Sequence, residues 1–172
     1  MSAPPVLLLA GSPSDLDRVL DCQETLESLG IQSRIRVLSA HRTPDQTADC
    51  VRSAESEGFR VLVAFAGLSA HLAGVSAAHT LLPVIAVPCA VGPLNGVDAA
   101  LASLQMPPGT PVAAVALDSG TNGALLAARI LALGDPELRQ RLADRVERDR
   151  ARYEPERIEA EIEKRRQARN GG

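Results

Sequence analysis

The chain has 172 residues and a formal net charge of −3, a size that fits one domain with a buried core. Aromatic residues make up 2% of it and no basic excess exists outside the C-terminal tail, so we expect no nucleic-acid partner. Its three cysteines are widely spaced, which predicts neither a disulfide framework nor a metal site and favours a reducing, cytoplasmic setting. No apolar stretch reaches the length of a signal peptide or a membrane span, so a soluble protein without a membrane partner is expected.

Short apolar segments alternate with amphipathic segments along most of the chain. The predicted strands are 6–10, 31–38, 61–66, 84–87 and 111–117, each apolar or alternating in polarity. The predicted helices are 14–29, 43–57, 70–78, 97–104 and 123–133. This alternation predicts an α/β three-layer sandwich with a central parallel five-stranded sheet. Its strand order is expected to be flavodoxin-like, although other three-layer sandwiches share the same spacing.

The composition changes sharply at Asp135, where arginine and glutamate become dense. We therefore predict an α/β catalytic domain at 1–134 and a charged C-terminal helix and tail at 135–172. The second part belongs to the same domain or to its oligomer contacts. Asp135-Pro136-Glu137 is a good helix start, and a thin apolar stripe follows at Leu138, Leu142 and Val146. The last dozen residues are predicted to be a solvated helix or disordered.

The loop Gly11-Ser12-Pro13-Ser14-Asp15 follows the first predicted strand. Its two hydroxyls and the N–H groups of the next helix would make a phosphate cradle, and Asp15 could accept hydrogen bonds from ribose hydroxyls. The alternative is that Ser14 or Asp15 only caps the helix. The loop matches neither a P-loop nor a dinucleotide fingerprint.

The loop after the second predicted strand reads Ser39-Ala40-His41-Arg42-Thr43-Pro44. Histidine titrates near neutrality and arginine is a permanent cation, so this pair suits proton transfer beside an anion. The alternative is that Thr43 caps a helix that begins at Pro44, which accounts for these two residues but not for His41 and Arg42. We predict that His41 is functional.

Three further segments and one more histidine are candidates. The stretch 66–74 is rich in small residues that let a ligand approach, and its His71 is either structural or a ligand contact. His79 is expected to be a helix cap or an interface residue. The segments 94–98 and 105–109 are either a mobile lid or ordinary connections.

Six motifs in order now carry a resemblance. They are Gly-Ser-x-Ser-Asp, Ser-Ala-His-Arg-Thr-Pro, Ala-Gly-x-x-Ala-His-Leu-x-Gly, Leu-Pro-Val-Ile-x-Val-Pro, Leu-x-Gly-Val-Asp and Gln-Met-Pro-x-Gly-x-Pro-Val-Ala. Together they make residues 6 to about 133 resemble the N5-carboxyaminoimidazole ribonucleotide mutase family of de novo purine synthesis. No single motif is decisive, but six in sequence are highly specific.

The resemblance implies a homo-octameric enzyme without metal or organic cofactor, acting on a phosphorylated aminoimidazole ribonucleotide and CO2. His41 is the implied catalytic residue and Arg42 the implied phosphate ligand. Ser12, Ser14 and Asp15 would hold phosphate and ribose, and the segment from Ala66 would line the CO2 pocket. The predicted substrate-binding residues are Gly11, Ser12, Ser14, Asp15, Ser39, Ala40, Arg42, Ala66, Gly67, Ser69, His71 and Leu72.

Departures from the mutase pattern keep other activities open. Mutases normally carry Gly-Gly-Ala-Ala-His-Leu-Pro-Gly, where this chain has Leu68, Ser69 and Ala73. Carboxylases of the same fold, which use free CO2, also have serine at the Ser69 position, and the segment 117–122 is close to their length. We favour the mutase. The alternatives are such a carboxylase, a carboxylase of another phosphorylated nucleotide, and a non-catalytic nucleotide-binding module.

Overall fold

The computed structural model describes residues 4–170, and within them a five-stranded parallel sheet forms the centre of the fold. Its strands are β1 (Val6–Ala10), β2 (Ser33–Val37), β3 (Val61–Gly67), β4 (Val84–Cys89) and β5 (Ala113–Ala114). The strand order is β2-β1-β3-β4-β5, and every neighbouring pair is parallel. This is the flavodoxin order, so the predicted fold class and strand order are confirmed.

Helices cover both faces of the sheet and produce the three predicted layers. They are α1 (Leu16–Ser28), α2 (Pro44–Ser53), α3 (Leu72–Ala77), α4 (Val97–Leu104), α5 (Gly120–Leu131), α6 (Pro136–Arg150) and α7 (Pro155–Asn170). Successive strand residues point to opposite faces of a sheet. In β1, Leu8 therefore packs in the core beneath α1 and α5, whereas Leu7 and Leu9 pack in the core beneath α2 and α3.

The carboxyl ends of β2, β1 and β3 lie level with one another. Ala10 pairs with Val37 on one side and with Phe65 on the other. The backbone continues this alignment past the strands, because the Gly11 N–H donates to the Phe65 carbonyl at 2.9 Å. The chain leaves β1 towards β2 on one side while β3 lies on the other, so a crevice opens at this switch point.

Glycines let α5 approach the sheet and α1 closely. A Cβ at Gly120 would lie 2.3 Å from the Arg18 carbonyl oxygen, and one at Gly123 would lie 2.8 Å from Val87 Cγ2. Contacts this short are sterically forbidden, so any larger residue would push α5 away. The loop that precedes α5 is thereby kept close to the first turn of α1.

Three elements differ clearly in extent from the sequence-based expectation. The helix predicted over 43–57 is α2, which ends already at Ser53. The predicted strand 111–117 contains only β5 and one further ladder bond, from the Val115 N–H to the Ala86 carbonyl at 3.0 Å. β5 lies at the edge of the sheet, and Pro111, two residues before it, has no N–H to donate. The helix predicted from residue 123 begins at Gly120, because the Ser119 hydroxyl caps it. Glycine and asparagine in that first turn are poor helix formers, so the sequence pattern did not predict a helix start there.

The charged C-terminal part begins with a helix packed on the α/β unit. The Asp135 carboxylate accepts from the Leu138 N–H at 2.9 Å, and α6 starts at Pro136 as predicted. Leu138 is buried, and Arg141 Nε donates to the Leu29 carbonyl at 2.9 Å. The following helix, α7, is exposed along the side chains the structure describes, and residues 171 and 172 of the predicted tail lie outside the described residues. Between residues 4 and 170, no helix combines the length and apolarity needed to cross a bilayer.

Candidate active site

A cavity of about 520 Å³ opens at the switch point, above the carboxyl ends of β1, β2 and β3. All of the residues predicted for the site line it, together with two that the sequence analysis did not select, Leu68 and Val91. The predicted residues on its surface are Gly11, Ser12, Ser14, Asp15, Ser39, Ala40, His41, Arg42, Ala66, Gly67, Ser69, His71 and Leu72. The topology therefore brings four separate loops to one place.

The loop after β1 is closed by its own serines. Residues 13–15 form a single 3-10 turn whose N-cap is Ser12. The Ser12 hydroxyl accepts from the Ser14 N–H at 3.3 Å and from the Ser14 hydroxyl at 2.8 Å. Asp15 occupies the N-cap position of α1, but its side chain makes no capping bond, and the Ser14 hydroxyl donates to Ser12 instead. Both hydroxyls remain beside the cavity.

Asp15 is the buried carboxyl group of the site. It is only 3% exposed, although it lines the cavity. Burial raises the pKa of Asp15, and the Arg18 charge with hydrogen bonds from the Ser12 backbone and the Cys89 thiol offsets only part of that effect. Keeping this carboxylate ionised in the folded protein therefore costs free energy, which is common for ionisable groups at functional sites.

The loop after β2 is a short turn that leaves His41 and Arg42 projecting. The Thr43 hydroxyl accepts from the Ser39 N–H at 3.0 Å, and the Arg42 N–H donates to the Ser39 hydroxyl at 3.2 Å. Thr43 does precede α2, which begins at Pro44, but its hydroxyl closes this turn and makes no helix-capping bond. No carboxylate between residues 4 and 170 lies within ion-pair distance of Arg42. Its guanidinium is available to an anion in the cavity.

Two histidines meet across the cavity. His41 Nε2 lies 2.9 Å from His71 Nδ1, and the rings cross at 78° with centroids 5.0 Å apart. A contact of this length places one hydrogen between the two nitrogens, so the rings cannot both be doubly protonated while it holds. His71, for which the sequence left a structural role and a ligand contact open, lines the cavity and contacts His41 there. Their position after the ends of β2 and β3, the two strands that flank β1, was the only signal of this pairing in the sequence.

The apolar wall of the cavity comes from the chain after β3 and β4, and its residues pack closely on one another. Gly67 lies against Val91, and a Cβ at Gly67 would be 2.1 Å from Val91 Cγ2. Leu68 is half exposed and has φ of 55°, in the left-handed region that favours glycine. Its side chain packs over Gly92, where a Cβ would come within 2.6 Å of Leu68 Cδ2. Leu68 stands where the mutase pattern has glycine, which explains the unusual backbone.

The other candidate segments lie elsewhere. Residues 94–98 and 105–109 are absent from the lining of this cavity, and Met106 instead packs on α3 beside Gly74. In the described part of the chain, no group of three or more His, Cys, Asp or Glu side chains has the arrangement of a metal site. The cavity thus combines serine hydroxyls and an arginine without an ion-pair partner in residues 4–170, a histidine pair and an apolar wall.

The fold and this cavity define an α/β protein with a ligand site at the switch point of a doubly wound sheet. Residues 5–152 match the family model described as AIR carboxylase. The chain is 45% identical over 139 residues to the N5-carboxyaminoimidazole ribonucleotide mutase of Pyrococcus abyssi, covering 81% of this chain and 80% of that protein. It is 45% identical over 141 residues to the enzyme of the same name from Escherichia coli, covering 81% and 83%. The crystal structure of Treponema denticola PurE superposes with a TM-score of 0.78 at 30% identity, covering 86% of this chain and 92% of that one. The chain belongs to the AIR carboxylase family, and the resemblance read from its motifs is confirmed.

Proposed function

We propose that this protein is an N5-carboxyaminoimidazole ribonucleotide mutase. It would move the carboxylate of its substrate from N5 to C4 and give 4-carboxyaminoimidazole ribonucleotide for purine synthesis. Its similarity to enzymes of that name over most of the chain supports this activity. The observation that carries the proposal is the contact of His41 with His71, 2.9 Å apart, in a cavity with one polar and one apolar side.

The polar side suits the phosphate and ribose of the substrate. The hydroxyls of Ser12 and Ser14 border it, and the guanidinium of Arg42 lacks an ion-pair partner in residues 4–170. Charge-assisted hydrogen bonds from arginine to phosphate are strong. Asp15 would accept hydrogen bonds from ribose hydroxyls. This arrangement would direct the base towards His41 and His71.

The chemistry needs one proton carrier and a place that keeps CO2. Protonated His41 gives its proton to N5 as the N5–carboxyl bond breaks, which releases CO2 and leaves aminoimidazole ribonucleotide. Carbon 4, which is enamine-like, then attacks the same CO2 and forms the new carbon–carbon bond. Neutral His41 removes the proton that C4 still carries, which restores the aromatic ring and the starting state of the enzyme. His71, at hydrogen-bond distance, orients the His41 ring through these two transfers.

CO2 is small and apolar, so the part of the cavity that holds it has to be closed to water. Leu68, Leu72 and Val91 are the large apolar residues that line the cavity, and Leu72 is fully buried. An apolar lining gives escaping CO2 no polar partner and excludes the water that would hydrate it. The Ser69 hydroxyl is the polar exception and could accept or donate to the carboxylate.

Turnover with two separate substrates tests the proposal. The protein is supplied either with freshly prepared carbamate or with aminoimidazole ribonucleotide and bicarbonate, and the 4-carboxy product is followed. Turnover with the carbamate alone is the expected result. Turnover with only the second mixture would instead identify a carboxylase that uses free CO2, and turnover with neither would leave a nucleotide-binding module.

The proposal extends to assembly and compartment. The resemblance implies an octamer, and a second copy of the chain would cover an apolar row along α4. Its members are between 53% and 64% exposed, which is unusual for large aliphatic side chains: Leu94, Val97, Leu101 and Leu104. Light scattering should report an octamer that Leu101→Glu dissociates and Leu133→Glu, off this row, does not.

We place the enzyme in the cytoplasm, where the free thiols of its three cysteines would stay reduced.

A further inference from the structure

An ion pair outside the proposed catalytic groups joins the start of α1 to two loops, one of which continues into the wall of the cavity. Arg18, in the first turn of α1, pairs through Nε with Asp118, which lies between β5 and α5. The same Asp118 oxygen accepts from the Ala90 N–H at 2.9 Å. Arg18 also donates through Nη2 to the Ala90 carbonyl at 3.4 Å. Both backbone polar groups of Ala90 are therefore held by this pair.

Ala90 is the residue before Val91, which forms part of the apolar wall. The Val91 side chain is packed against Gly67 so closely that a Cβ there would lie 2.1 Å from Val91 Cγ2. The loop then passes under Leu68 at Gly92, which has φ of 72°. No regular helix or strand holds this stretch, because β4 ends at Cys89 and α4 begins only at Val97. Its position depends on side-chain contacts.

An isolated ion pair on a protein surface contributes little to stability, but this pair has further contacts. Here one carboxylate oxygen receives two donors from different parts of the chain, and the guanidinium makes two contacts in return. Asp118 also adopts φ of 55°, which a non-glycine residue holds only when its surroundings impose it. Burial acts to raise the pKa of Asp118, but hydrogen bonds from Arg18 and Ala90 outweigh it and the pKa is lowered. The carboxylate is thus ionised and engaged at neutral pH.

We propose that Arg18 and Asp118 are positioning residues that hold Val91 against Gly67 and so keep the CO2-holding end of the cavity closed. They act through Ala90 and do not touch the reacting atoms. The inference rests on the proposed mutase function, since only an enzyme that releases and recaptures CO2 needs such a wall. It predicts a specific failure. Without the pair the reaction still starts, but CO2 escapes before C4 captures it.

Isotope retention measures this failure directly. The carbamate is prepared with a labelled carboxyl carbon and turned over in buffer that contains unlabelled bicarbonate and carbonic anhydrase. The label found in the 4-carboxy product then reports how much CO2 stayed in the site. Because retention is a ratio per turnover, a variant that is only partly folded gives the same value as its intact molecules.

The variants separate positioning from general damage. Arg18→Met keeps the length of the side chain and removes its charge, and Asp118→Ala removes the acceptor of both bonds. Each should lower the ratio of retained to lost label by roughly fivefold. Arg18→Lys, which preserves the ion pair, should restore most of the retention. Asp49→Asn removes the partner of Arg52 in an exposed pair on α2 and should leave retention unchanged.

Val91→Ala trims the wall itself and should reproduce the loss of label even if Asp118→Ala fails to fold. Unchanged retention in both Arg18→Met and Val91→Ala would overturn the inference. A loss of label in Asp49→Asn equal to that in Arg18→Met would also overturn it. If the wild-type protein makes no product from the carbamate, the proposed function fails instead. In that case the same variants are assayed for carboxylation of aminoimidazole ribonucleotide, and their KM values for bicarbonate are compared.

Discussion

The two sides of the cavity are constructed in different ways. The polar side consists of loops after β1 and β2 that are closed by bonds within a few residues, such as Ser14 to Ser12 and Arg42 to Ser39. The apolar side consists of Gly67 and Leu68 at the end of β3 and of Val91 after β4, and these two segments are held together by long-range packing. The side that would bind phosphate is therefore local in sequence. The side that would retain CO2 is a product of the tertiary fold.

This difference predicts that damage to the two sides has different consequences. Changes on the polar side should alter chemistry or affinity while the fold persists, because the loops are small and partly exposed. Changes on the apolar side should alter the fate of CO2 and the stability of the fold together. The following variants test that separation, beginning with the largest expected effect.

Replacing His41 should cause the largest loss. His41→Asn keeps a polar side chain of similar size but cannot accept and return a proton, so kcat should fall by on the order of 10²- to 10⁴-fold. Affinity for the nucleotide should change little, because the phosphate contacts remain. Single-turnover measurement with the carbamate gives the rate, and His79→Asn is the matched control outside the cavity. Near-normal turnover of His41→Asn would remove His41 from its proposed role.

Replacing Arg42 should weaken binding far more than it slows the chemistry. Arg42→Met retains the aliphatic length and loses the cation, and hydrogen bonds to charged groups contribute about 1.5–3 kcal/mol. We therefore expect KM to rise by roughly tenfold to a hundredfold with kcat within about threefold of normal. Steady-state kinetics measures both values, and Arg52→Met, in the last turn of α2, serves as the control. A fall in kcat at unchanged KM would contradict a phosphate-binding role.

A methyl group added to the apolar side should disturb the fold itself. In Gly67→Ala the new Cβ would lie 2.1 Å from Val91 Cγ2, and overpacking of this kind costs about 1–3 kcal/mol of unfolding free energy. Val91→Ala makes room, so the double variant should be less destabilised than the sum of the two single changes. Denaturant unfolding of all three proteins gives the coupling energy. Additive effects would show that Gly67 and Val91 do not press on each other.

The same contrast explains what could be predicted from the sequence. The alternation of strands and helices was sufficient to predict the three layers, because the apolar period and the glycine stops are local signals. It did not determine the strand order, since other three-layer sandwiches share the same spacing, and the expected flavodoxin-like order was confirmed only by the structure. The candidate residues His41, Arg42 and Ser12 were found because each lies directly after a strand, where a parallel sheet gathers its loops. Their meeting in one cavity follows from topology alone.

Other features depend on distant contacts and could not be predicted. Val91 is an ordinary loop valine until its packing against Gly67 is known, and nothing near Arg18 in the chain indicates a bond to Asp118. The long predicted strand 111–117 was wrong in extent because only two of its residues pair as β5 along the edge of the sheet. Leu68 drew attention as a departure from a glycine pattern, and its left-handed backbone gives that departure a physical reason.

Replacing Asp15 should have the smallest effect of these variants. It should change both the stability of the fold and the binding of the substrate. Its pKa is raised in the folded protein, chiefly by burial, so folding favours the protonated carboxyl. This contribution to stability is complete below pH 3.8, the ordinary value, and is lost as the pH rises through the raised pKa of the folded state. At neutral pH the ionised group therefore lowers the free energy of unfolding. Asp15→Asn should raise it by less than about 1 kcal/mol, because the Arg18 charge and the hydrogen bonds to the carboxylate already compensate part of the cost.

The gain in Asp15→Asn should shrink towards zero as the pH is lowered past the ordinary aspartate value, which thermal unfolding between pH 3 and pH 8 can follow. Asp17→Asn, an exposed neighbour in the first turn of α1, should give no such gain at neutral pH. Nucleotide affinity should fall in Asp15→Asn at the same time, since an amide is a weaker acceptor for ribose hydroxyls. A more stable protein that binds its substrate less well is the expected mark of a buried charge kept for function. A neutral-pH loss of stability in Asp15→Asn would instead make this carboxylate a structural member of the loop.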